Sequence, residues 1–550
     1  MDKRKCSMES MGGLMQTLKE KIEYFVKDIY YIIPVILTVI LSFGFVVTHS
    51  SVNVDTLSAN RYFEEGELIA QARFGTVLLN KIFHVMQFNP FFVDFIAVVF
   101  MVAAAITFCI ALKKATNNKI KPIIYTIFSC LFISYPLINE IFVYTPASLT
   151  IGLCYFGVAV CVNFMQKYFS EKKTIYMIYT AAILTMIIAS YESFASVYLC
   201  CMFSVLILDC ICNNKKITFK ETVINILEWI IPLLVSIIVS QMIARILMNI
   251  LGIEKSLNAT RGILYLSEGF TGAINYLIDG IIYSFVLKGL FYLPIAILLI
   301  SVVINIIMSI IFSVKRKNIT LYLLFLGTRV SLIAISILQG MASPYRACQV
   351  FAIFICFTFM LFTQTILNTS IKKALKKLLV ILMFTLVFYQ AKNLHKWFYL
   401  NYLRYENEKS LLITVANELQ REHDISKPVF FVTEYELPEY ISEKANMDTE
   451  SKRYKLIENI SKNMFTKKYR DINVTTKIPE TNVSSYINWG FGAFEESNTE
   501  IFKWLKLLGY EFKQGDVKTL KAYLGEFLKL NRYPDKNYIV ETSEFIVVRL

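Results

Sequence analysis

Four stretches of the chain between long apolar runs carry acidic or arginine side chains. They contain Asp55, Glu140, Glu192 and Arg346. A carboxylate near lipid headgroups can act as general base on a hydroxyl group, and an arginine can hold a phosphate through two parallel hydrogen bonds. Together these groups would suit transfer from a phosphate leaving group to a hydroxyl acceptor. They would also suit the gate of a transporter, so both interpretations stay open.

The first stretch, residues 50–90, is too long for a simple connector, and long loops in compact proteins tend to be functional. Asp55 follows an apolar run by a few residues, and Arg61 and Arg73 come after it. An ordinary helix N-cap is the alternative role for Asp55. The end of this loop is predicted to be an amphipathic helix at the membrane surface, formed by Phe74, Val77, Leu78, Lys81 and Ile82.

The other three stretches are short turns. Glu140 lies at the end of an apolar run. The alternative interpretation is that it is simply a polar residue at the boundary of a spanning helix. Tyr191 and Glu192 belong to a turn so brief that it must lie at the membrane surface, where an acid is costly unless it is paired or solvated. Arg346 is the one charged residue in a turn that Pro344 creates by breaking a helix. All four stretches are expected at one face of the membrane.

The elements that must position these residues are membrane-spanning helices. A spanning helix needs about 20 mainly apolar residues, because its backbone polar groups cannot face lipid unsatisfied. The sequence predicts eleven such runs, of which the last is the weakest. They cover about residues 30–48, 91–112, 122–138, 148–165, 174–190, 195–212, 224–250, 290–313, 320–338, 347–367 and 378–393. The semi-apolar segment 270–290 is predicted to be interfacial or re-entrant.

Composition agrees with this membrane class and excludes a soluble enzyme. The 550 residues are 56% hydrophobic and 18% charged, with a net charge of +14. Such a positive charge could suggest nucleic acid, but the lysines cluster in alternate loops between the apolar runs, while the other loops carry mainly acids. The positive-inside rule therefore predicts a cytoplasmic N-terminus and a multi-pass protein of the plasma membrane with no nucleic-acid partner.

The chain changes character after residue 393. Residues 1–393 are predicted to form a transmembrane domain with a long outer loop at 49–90, and residues 394–550 a soluble domain of α/β or α+β type. Because the eleventh run is expected to cross, this domain is predicted to be extracytoplasmic. Its predicted elements are a strand at Lys427–Val432, a helix at Ile501–Leu508, and a closing hairpin of Tyr538–Val540 with Phe545–Val548.

Few signals point to a cofactor. The phosphate-binding patterns GxxxxGK[ST] and GxGxxG are missing, as is the zinc pattern HExxH. The four histidines share no face, and most of the eleven cysteines lie in or beside apolar runs as small apolar residues. No metal ligands are therefore assigned, although the carboxylates allow a divalent metal without requiring one.

The order Asp55, Arg61, Gly66, Arg73 after the first apolar run resembles the phage-type O-antigen glucosyltransferases. Those bacterial enzymes are polytopic members of the C-type glycosyltransferase superfamily. The Ser-Tyr-Glu turn before Ser193, the Pro-x-Arg at Arg346 and the Tyr-Pro near the C-terminus extend the similarity over most of the chain. The chain differs from the family in two places, with Val54-Asp55 for the common Asp-Asp and Ala72-Arg73 for the common Gly-Arg. The first difference leaves open whether Asp55, Glu64 or Glu65 does the acid–base work.

The resemblance implies transfer of a sugar, a hexose such as glucose, from an undecaprenyl-phosphate-linked donor to a cell-surface polysaccharide at the outer face of the membrane. Such a donor needs no nucleotide. Asp55 would then deprotonate the acceptor hydroxyl, and Arg73 and Arg346 would hold the lipid phosphate, with Arg61 and Tyr191 as further substrate-binding residues. The remaining carboxylates, Glu140 and Glu192, would orient the sugar. A flippase and a donor synthase are the further partners implied.

Two other functions compete with sugar transfer. A multi-pass transporter or a lipid-linked saccharide flippase could line its path with the same charges. Transporters often show internal repeats and broken helices in matching halves, and neither pattern is visible in this sequence. The long outer loop and the C-terminal domain are also poorly explained by transport. A non-catalytic partner in polymer assembly is a third hypothesis.

Overall fold

A computed structural model describes residues 22–51, 65–85, 89–213, 218–253, 264–282, 293–438, 440–441, 485–487 and 499–550. Its helices are α1 Ile29–Thr48, α2 Glu65–Ala70, α3 Phe74–Ile82, α4 Pro90–Ala115, α5 Pro122–Ile133, α6 Asn139–Phe142, α7 Thr145–Glu171, α8 Ile175–Ile188, α9 Phe194–Asn213, α10 Phe219–Leu251, α11 Leu264–Ile281, α12 Leu293–Arg316, α13 Ile319–Gln339, α14 Val350–Leu367, α15 Lys373–Glu422, α16 Thr499–Leu507 and α17 Val517–Phe527. The strands are β1 Val429–Val432, β2 Ile539–Glu541 and β3 Ile546–Arg549.

The helices confirm a polytopic α-helical membrane protein. Within the described ranges, ten helical segments are long and apolar enough to cross a membrane, and the apolar helix α8 is shorter. One of these segments, Pro122–Phe142, combines α5, a short 3-10 turn and α6. Each of the eleven predicted runs therefore corresponds to an apolar helix.

Burial differs strongly between these helices. Most residues of α5, α9 and α14 are buried, whereas most residues of α10 and α12 are only partly buried or are exposed. Most of the exposed side chains of α10 and α12 are apolar, for example Ile238 and Val303. Extended apolar surface of this kind is unfavourable in water and favourable against lipid. The bundle thus has a central layer of helices and an outer layer that presents apolar side chains.

Basic side chains gather at one end of the bundle, which we call the lysine end. Lys121 and Lys376 both donate to the carbonyl of Leu367, at 2.8 and 2.9 Å. Arg316 donates to the carbonyls of Cys210 and Ile211, at 2.6 Å each. The last carbonyls of a helix have no partner within the helix, and cationic side chains can satisfy them. These basic residues therefore satisfy carbonyl groups at the C-termini of α9 and α14.

The segment predicted to be interfacial or re-entrant forms a helix in its described part. Helix α11 is interrupted at Gly269, where φ is 70°. It is not among the ten apolar segments above. At its C-terminal end Gly280 lies against Ala342, where an added Cβ would be 2.7 Å from the alanine Cβ. Its place relative to the membrane stays a prediction.

The fifty-residue helix α15 runs through the predicted domain boundary at residue 393. Its first half packs into the bundle core through Val387 and Phe398, and its second half enters a separate core through Leu412 and Val415. No glycine or proline occurs between Lys372 and Lys427, so no residue there breaks the helix. The composition changes at this boundary while the helix continues. The division into two domains stays a prediction.

The C-terminal part contains a three-stranded sheet in the order β1-β3-β2. Strand β1 is parallel to β3, with Val429 opposite Ile546, and β2 is antiparallel to β3. The predicted strand, the closing hairpin and the helix α16 are all confirmed. A parallel pair requires a long connection between its strands, and the helices α16 and α17 lie between β1 and β3 in the chain.

Candidate functional site

The long loop after α1 packs its helix α3 tightly against the turn between α8 and α9. The backbone N–H of Gly75 donates to the carbonyl of Ala189 at 2.8 Å, and Thr76 Oγ1 donates to the carbonyl of Ser190 at 2.9 Å. An added Cβ on Gly75 would lie 2.4 Å from Ser190 Oγ and 2.7 Å from the Met186 carbonyl oxygen. Only glycine allows this approach without movement of the backbone.

Helix α3 is the amphipathic helix predicted for this loop. Phe74 and Val77 are buried against neighbouring helices, whereas Leu78 and Ile82 are exposed. The side chains therefore divide into a protein-facing and an outward-facing set, as an interfacial helix requires.

A sharp turn before α3 places Arg73. Ala72 has a φ of 60°, in the left-handed region that favours glycine, and the N–H of Arg73 donates to the carbonyl of Leu68 at 2.7 Å. This pattern is typical of a helix C-terminus, where glycine is the usual residue. The family that this chain resembles commonly has glycine before the arginine, and the left-handed backbone gives a physical reason for that glycine. This chain has Ala72 at the same position.

Arg73 and Glu192 form a two-pronged ion pair. Arg73 Nε donates to Glu192 Oε2 at 3.2 Å, and Nη2 donates to Oε1 at 2.8 Å. The guanidinium carbon lies 5.2 Å from the centre of the Tyr191 ring, within the range of a cation–π contact. The structure thus brings together three of the predicted site residues from two distant parts of the sequence.

The environment of this pair shifts two pKa values. Burial disfavours the charged form of Arg73, but the neighbouring Glu192 more than offsets this, so the pKa of Arg73 lies above its usual range. Burial raises the pKa of Tyr191 to about 12, with Arg73 acting in the opposite direction. Tyr191 therefore stays protonated at neutral pH and acts as a hydrogen-bond donor.

Tyr191 connects this pair to the turn that holds Arg346. Its hydroxyl donates to the Arg346 carbonyl at 3.2 Å, and Gln349 Nε2 donates to the same oxygen. Gln349 in turn accepts from Ser193 Oγ at 2.5 Å, and its backbone carbonyl accepts from Tyr155 at 2.8 Å. The side chain of Arg346 is exposed and makes no hydrogen bond or ion pair with the residues that the structure describes. The backbone of Arg346 is held by these contacts, while its exposed guanidinium forms none among the described residues.

Glu140 lies beside the same turn. It is buried, with 9% of its surface exposed, on the short helix α6 that contacts the turn Tyr345–Ala347. Burial raises the pKa of Cys348, and the negative charge of Glu140 raises it further. Glu140 is therefore close to the segment that carries Arg346. We call the end of the bundle formed by Arg73, Glu140, Glu192 and Arg346 the arginine end.

Three predicted site residues, Asp55, Arg61 and Glu64, lie outside the described residues. The last described residue before them, Ser51, accepts a hydrogen bond from Asn401 of α15 at 2.8 Å. The first described helix after them is α2, which packs against α10. The loop that carries these residues therefore leaves and re-enters the described structure at the arginine end.

Sequence reasoning missed two polar residues at this end. Gln349 joins Ser193 to the Arg346 turn, and no sequence pattern marked it. Asp94 is buried in the first turns of α4 and accepts a hydrogen bond from Ser148 Oγ at 2.6 Å. A single acid inside an otherwise apolar run is costly unless it is paired, and that cost was the available signal for Asp94.

No metal ligands are assigned. Among the described residues, no three His, Cys, Asp or Glu side chains form a group that could hold a metal ion. The loop residues Asp55 and Glu64 lie outside the described residues. A divalent metal at this end stays an open prediction.

The fold and the site together define a class: a multi-pass helical membrane protein with arginines and carboxylates gathered at one end of its bundle. A family model described as Glucosyl transferase GtrII matches residues 44–363, more than half of the 550 residues. The chain belongs to this family, as the resemblance implied, and is a membrane glucosyltransferase that acts with a sugar donor and a glycan acceptor. The match runs from α1 into α14 and includes every predicted site residue. No curated protein shows significant similarity to the chain.

Proposed function

We propose that this glucosyltransferase moves a hexose such as glucose from an undecaprenyl-phosphate-linked donor to a cell-surface polysaccharide. The reaction takes place at the outer face of the bacterial plasma membrane, at the arginine end. The observation that carries the proposal is the connection of Arg73, Tyr191 and Glu192 to the turn of Arg346, because it pairs one arginine with a carboxylate and brings the segment of a second arginine beside them.

The distribution of charge supports an outward-facing arginine end. Basic residues are retained on the cytoplasmic side of a membrane, and here they gather at the opposite, lysine end. The N-terminus is then cytoplasmic. Eleven crossings bring α15 out on the outer side, so residues 394–550 form an extracytoplasmic domain that engages the acceptor glycan.

The choice of a lipid-linked donor rests on the surroundings of the site. The sequence contains neither of the common nucleotide-binding glycine patterns. Helix α2 packs against α10, through Leu68 and Ala244 among others, and α10 presents exposed apolar side chains. A polyprenyl chain can lie along such a surface and bring its phosphate to the arginines. A donor synthase and a flippase would supply this molecule.

The chemistry needs one base and a site for the departing phosphate. The acceptor hydroxyl attacks C1 of the sugar, the bond from C1 to the phosphate oxygen breaks, and the lipid phosphate leaves with the bonding electrons. Asp55 takes the hydroxyl proton, with Glu64 as the alternative base. Arg346 holds the phosphate, and Arg61 supports it.

In this scheme the ion pair between Arg73 and Glu192 also orients Arg73 toward the departing phosphate. Glu192 occupies Nε and one N–H of Nη2 of Arg73, which leaves the N–H groups of Nη1 for the phosphate. Tyr191 lies against Arg73 and keeps it in place. The carboxylates Glu140 and Glu192 orient the sugar by accepting hydrogen bonds from its hydroxyl groups.

The purified full-length protein tests the donor directly. It is incubated with isolated envelope glycan and radiolabelled glucose, supplied either on undecaprenyl phosphate or on a uridine nucleotide. We expect label in the glycan from the lipid donor alone. Label from the nucleotide alone would overturn the proposed donor, and no label from any lipid-linked sugar would favour a transport function.

Sealed right-side-out vesicles test the face of the membrane. Donor is incorporated into the vesicles, and glycan is added to the outside only. Transfer to this external glycan is expected. Transfer that requires broken vesicles would place the arginine end inside and overturn the orientation.

A further inference from the structure

A cavity of about 590 Å³ lies at the lysine end, far along the helices from the candidate site. It is bounded by the ends of α9, α12 and α14 and by the turn before α5. Its deeper lining is apolar, formed by Ile120, Leu208, Phe312, Met360 and Leu361. Its remaining lining includes two lysines and several amides and hydroxyls, among them Lys119, Lys315, Gln364, Asn368, Thr369 and Ser370.

The two lysines of this cavity are held differently. Lys119 Nζ donates to the carbonyl of Cys212 at 2.9 Å and lies 3.4 Å from Asn213 Oδ1. Lys315 is exposed and makes no hydrogen bond or ion pair with any residue in the described ranges. The next residue, Arg316, is bound to two carbonyls of α9 and so fixes the end of α12 beside the cavity. Lys315 is thus a positive charge on a fixed helix end, with no partner in the part of the chain that the structure describes.

We propose that this cavity binds an anionic phospholipid of the surrounding membrane, with its phosphate at Lys315 and part of its chain against the apolar lining. A cavity of this size lies within the range of small-molecule sites. Basic pockets between spanning helices are suited to anionic lipid headgroups. The apolar lining distinguishes a lipid from free phosphate, because a small anion would gain nothing from Phe312 and Met360.

A topology signal alone would not produce this arrangement. The positive-inside effect depends on the number of basic residues near a helix end and not on which one lies over a cavity. Lys317 carries the same charge two positions further along the chain, and it does not line the cavity. A comparison of variants at Lys315 and Lys317 therefore distinguishes lipid binding in the cavity from the positive-inside effect. This inference does not depend on the proposed sugar transfer.

Native mass spectrometry of the detergent-purified full chain tests the inference. Wild type, Lys315→Gln, Lys315→Arg and Lys317→Gln are each mixed with phosphatidylglycerol or with phosphatidylcholine of the same chain length. We expect wild type to retain phosphatidylglycerol preferentially, and Lys315→Gln to weaken this retention about fivefold. The variants Lys315→Arg and Lys317→Gln should behave as wild type.

A competition with inorganic phosphate separates the two sources of the phosphate group. We expect an excess of phosphate to leave the lipid bound. Displacement by phosphate alone would make the cavity an anion site and overturn the lipid assignment. Equal losses in Lys315→Gln and Lys317→Gln, or equal retention of both lipids, would also overturn it. Thermal unfolding of each variant confirms that the compared proteins are folded.

Discussion

The two ends of the helical bundle use charged side chains in different ways. At the lysine end, Lys121 and Arg316 donate to backbone carbonyls at helix C-termini. At the arginine end, Arg73 pairs with Glu192, a side chain 119 positions away, and the aromatic ring of Tyr191 lies against the guanidinium. The basic residues of the lysine end satisfy carbonyls at helix C-termini, whereas Arg73 and Glu192 connect two loops.

This difference separates structural charge from candidate functional charge. The side chains of Arg73 and Glu192 are 29% and 43% exposed, and ion pairs at such exposure contribute about 0–1 kcal/mol to stability. Stability alone therefore gives little reason for the pair. Its position beside Tyr191 and the Arg346 turn gives a better one, because it fixes the direction of an arginine toward a substrate.

The largest expected effect concerns the base. Asp55→Asn should lower kcat by about a thousandfold, since a positioned general base contributes roughly 10²–10⁴-fold. The matched variant Glu64→Gln should keep most of the rate. The transfer assay with the lipid-linked donor measures both, and membrane insertion is checked by yield. The reverse pattern would assign the base to Glu64.

The ion pair gives the next prediction. Arg73→Gln and Glu192→Gln should each lower kcat/KM about thirtyfold, the cost of losing a hydrogen bond to a charged group. If the two residues act as one unit, the double variant is no worse than either single variant. Losses that multiply in the double variant would show two independent contacts with substrate.

The close packing of α3 can be tested with two glycines of the same loop. Gly75→Ala should lower the free energy of unfolding by about 1–3 kcal/mol, the range for overpacking. The reason is that the added Cβ would lie 2.7 Å from the Met186 carbonyl oxygen. This change should also lower transfer about tenfold by moving Arg73 from Glu192. Gly66→Ala serves as the control, since its Cβ would lie 3.5 Å from Ile253. Equal effects of the two changes would mean that this packing does not position Arg73.

The smallest expected effect lies in the C-terminal part, where a charge cluster is structural. The contacts of Lys427 at 2.6 Å and His423 at 3.0 Å lower the pKa of Glu541 to about 2. The ordinary value is about 4.3, so the carboxylate stabilises the fold above that pH. This contribution is lost as the pH falls towards 2.

Hydrogen exchange of the β2 and β3 segments measures this loss. The protection of backbone amides against exchange, corrected for the intrinsic exchange rate, should fall between pH 5 and pH 3 in the wild type. It should fall less in Glu541→Gln. Sugar transfer at neutral pH should change little in this variant. Identical pH profiles in both proteins would contradict a stabilising role for Glu541.

The sequence predicted the elements well because their signals are local. Apolar runs showed each spanning helix, and the short apolar run within Lys427–Val432 indicated a buried strand. The continuity of α15 was harder to predict, since the change in composition near Leu394 suggested a boundary. Helix continuation depends there on the lack of a breaking residue and on packing against two successive cores.

The site was predicted in part. Arg73, Glu192 and Tyr191 could be proposed from their positions at helix ends, but their pairing depends on how α3 docks against a distant turn. Gln349 carried no sequence signal, because its role consists of contacts with Ser193 and with the backbone of Arg346. Contacts of this kind arise from the tertiary fold and have no local pattern.

The central claim is that catalysis belongs to the arginine end, and one comparison tests it most directly. Arg346→Gln and Lys317→Gln each remove one positive charge, from opposite ends of the bundle. With the lipid-linked donor, Arg346→Gln should lower kcat/KM about a hundredfold, as expected for loss of a group that stabilises developing charge. The Lys317→Gln variant should match the wild type. Equal rates for the two variants would contradict the assignment of the phosphate to Arg346 and of catalysis to this end.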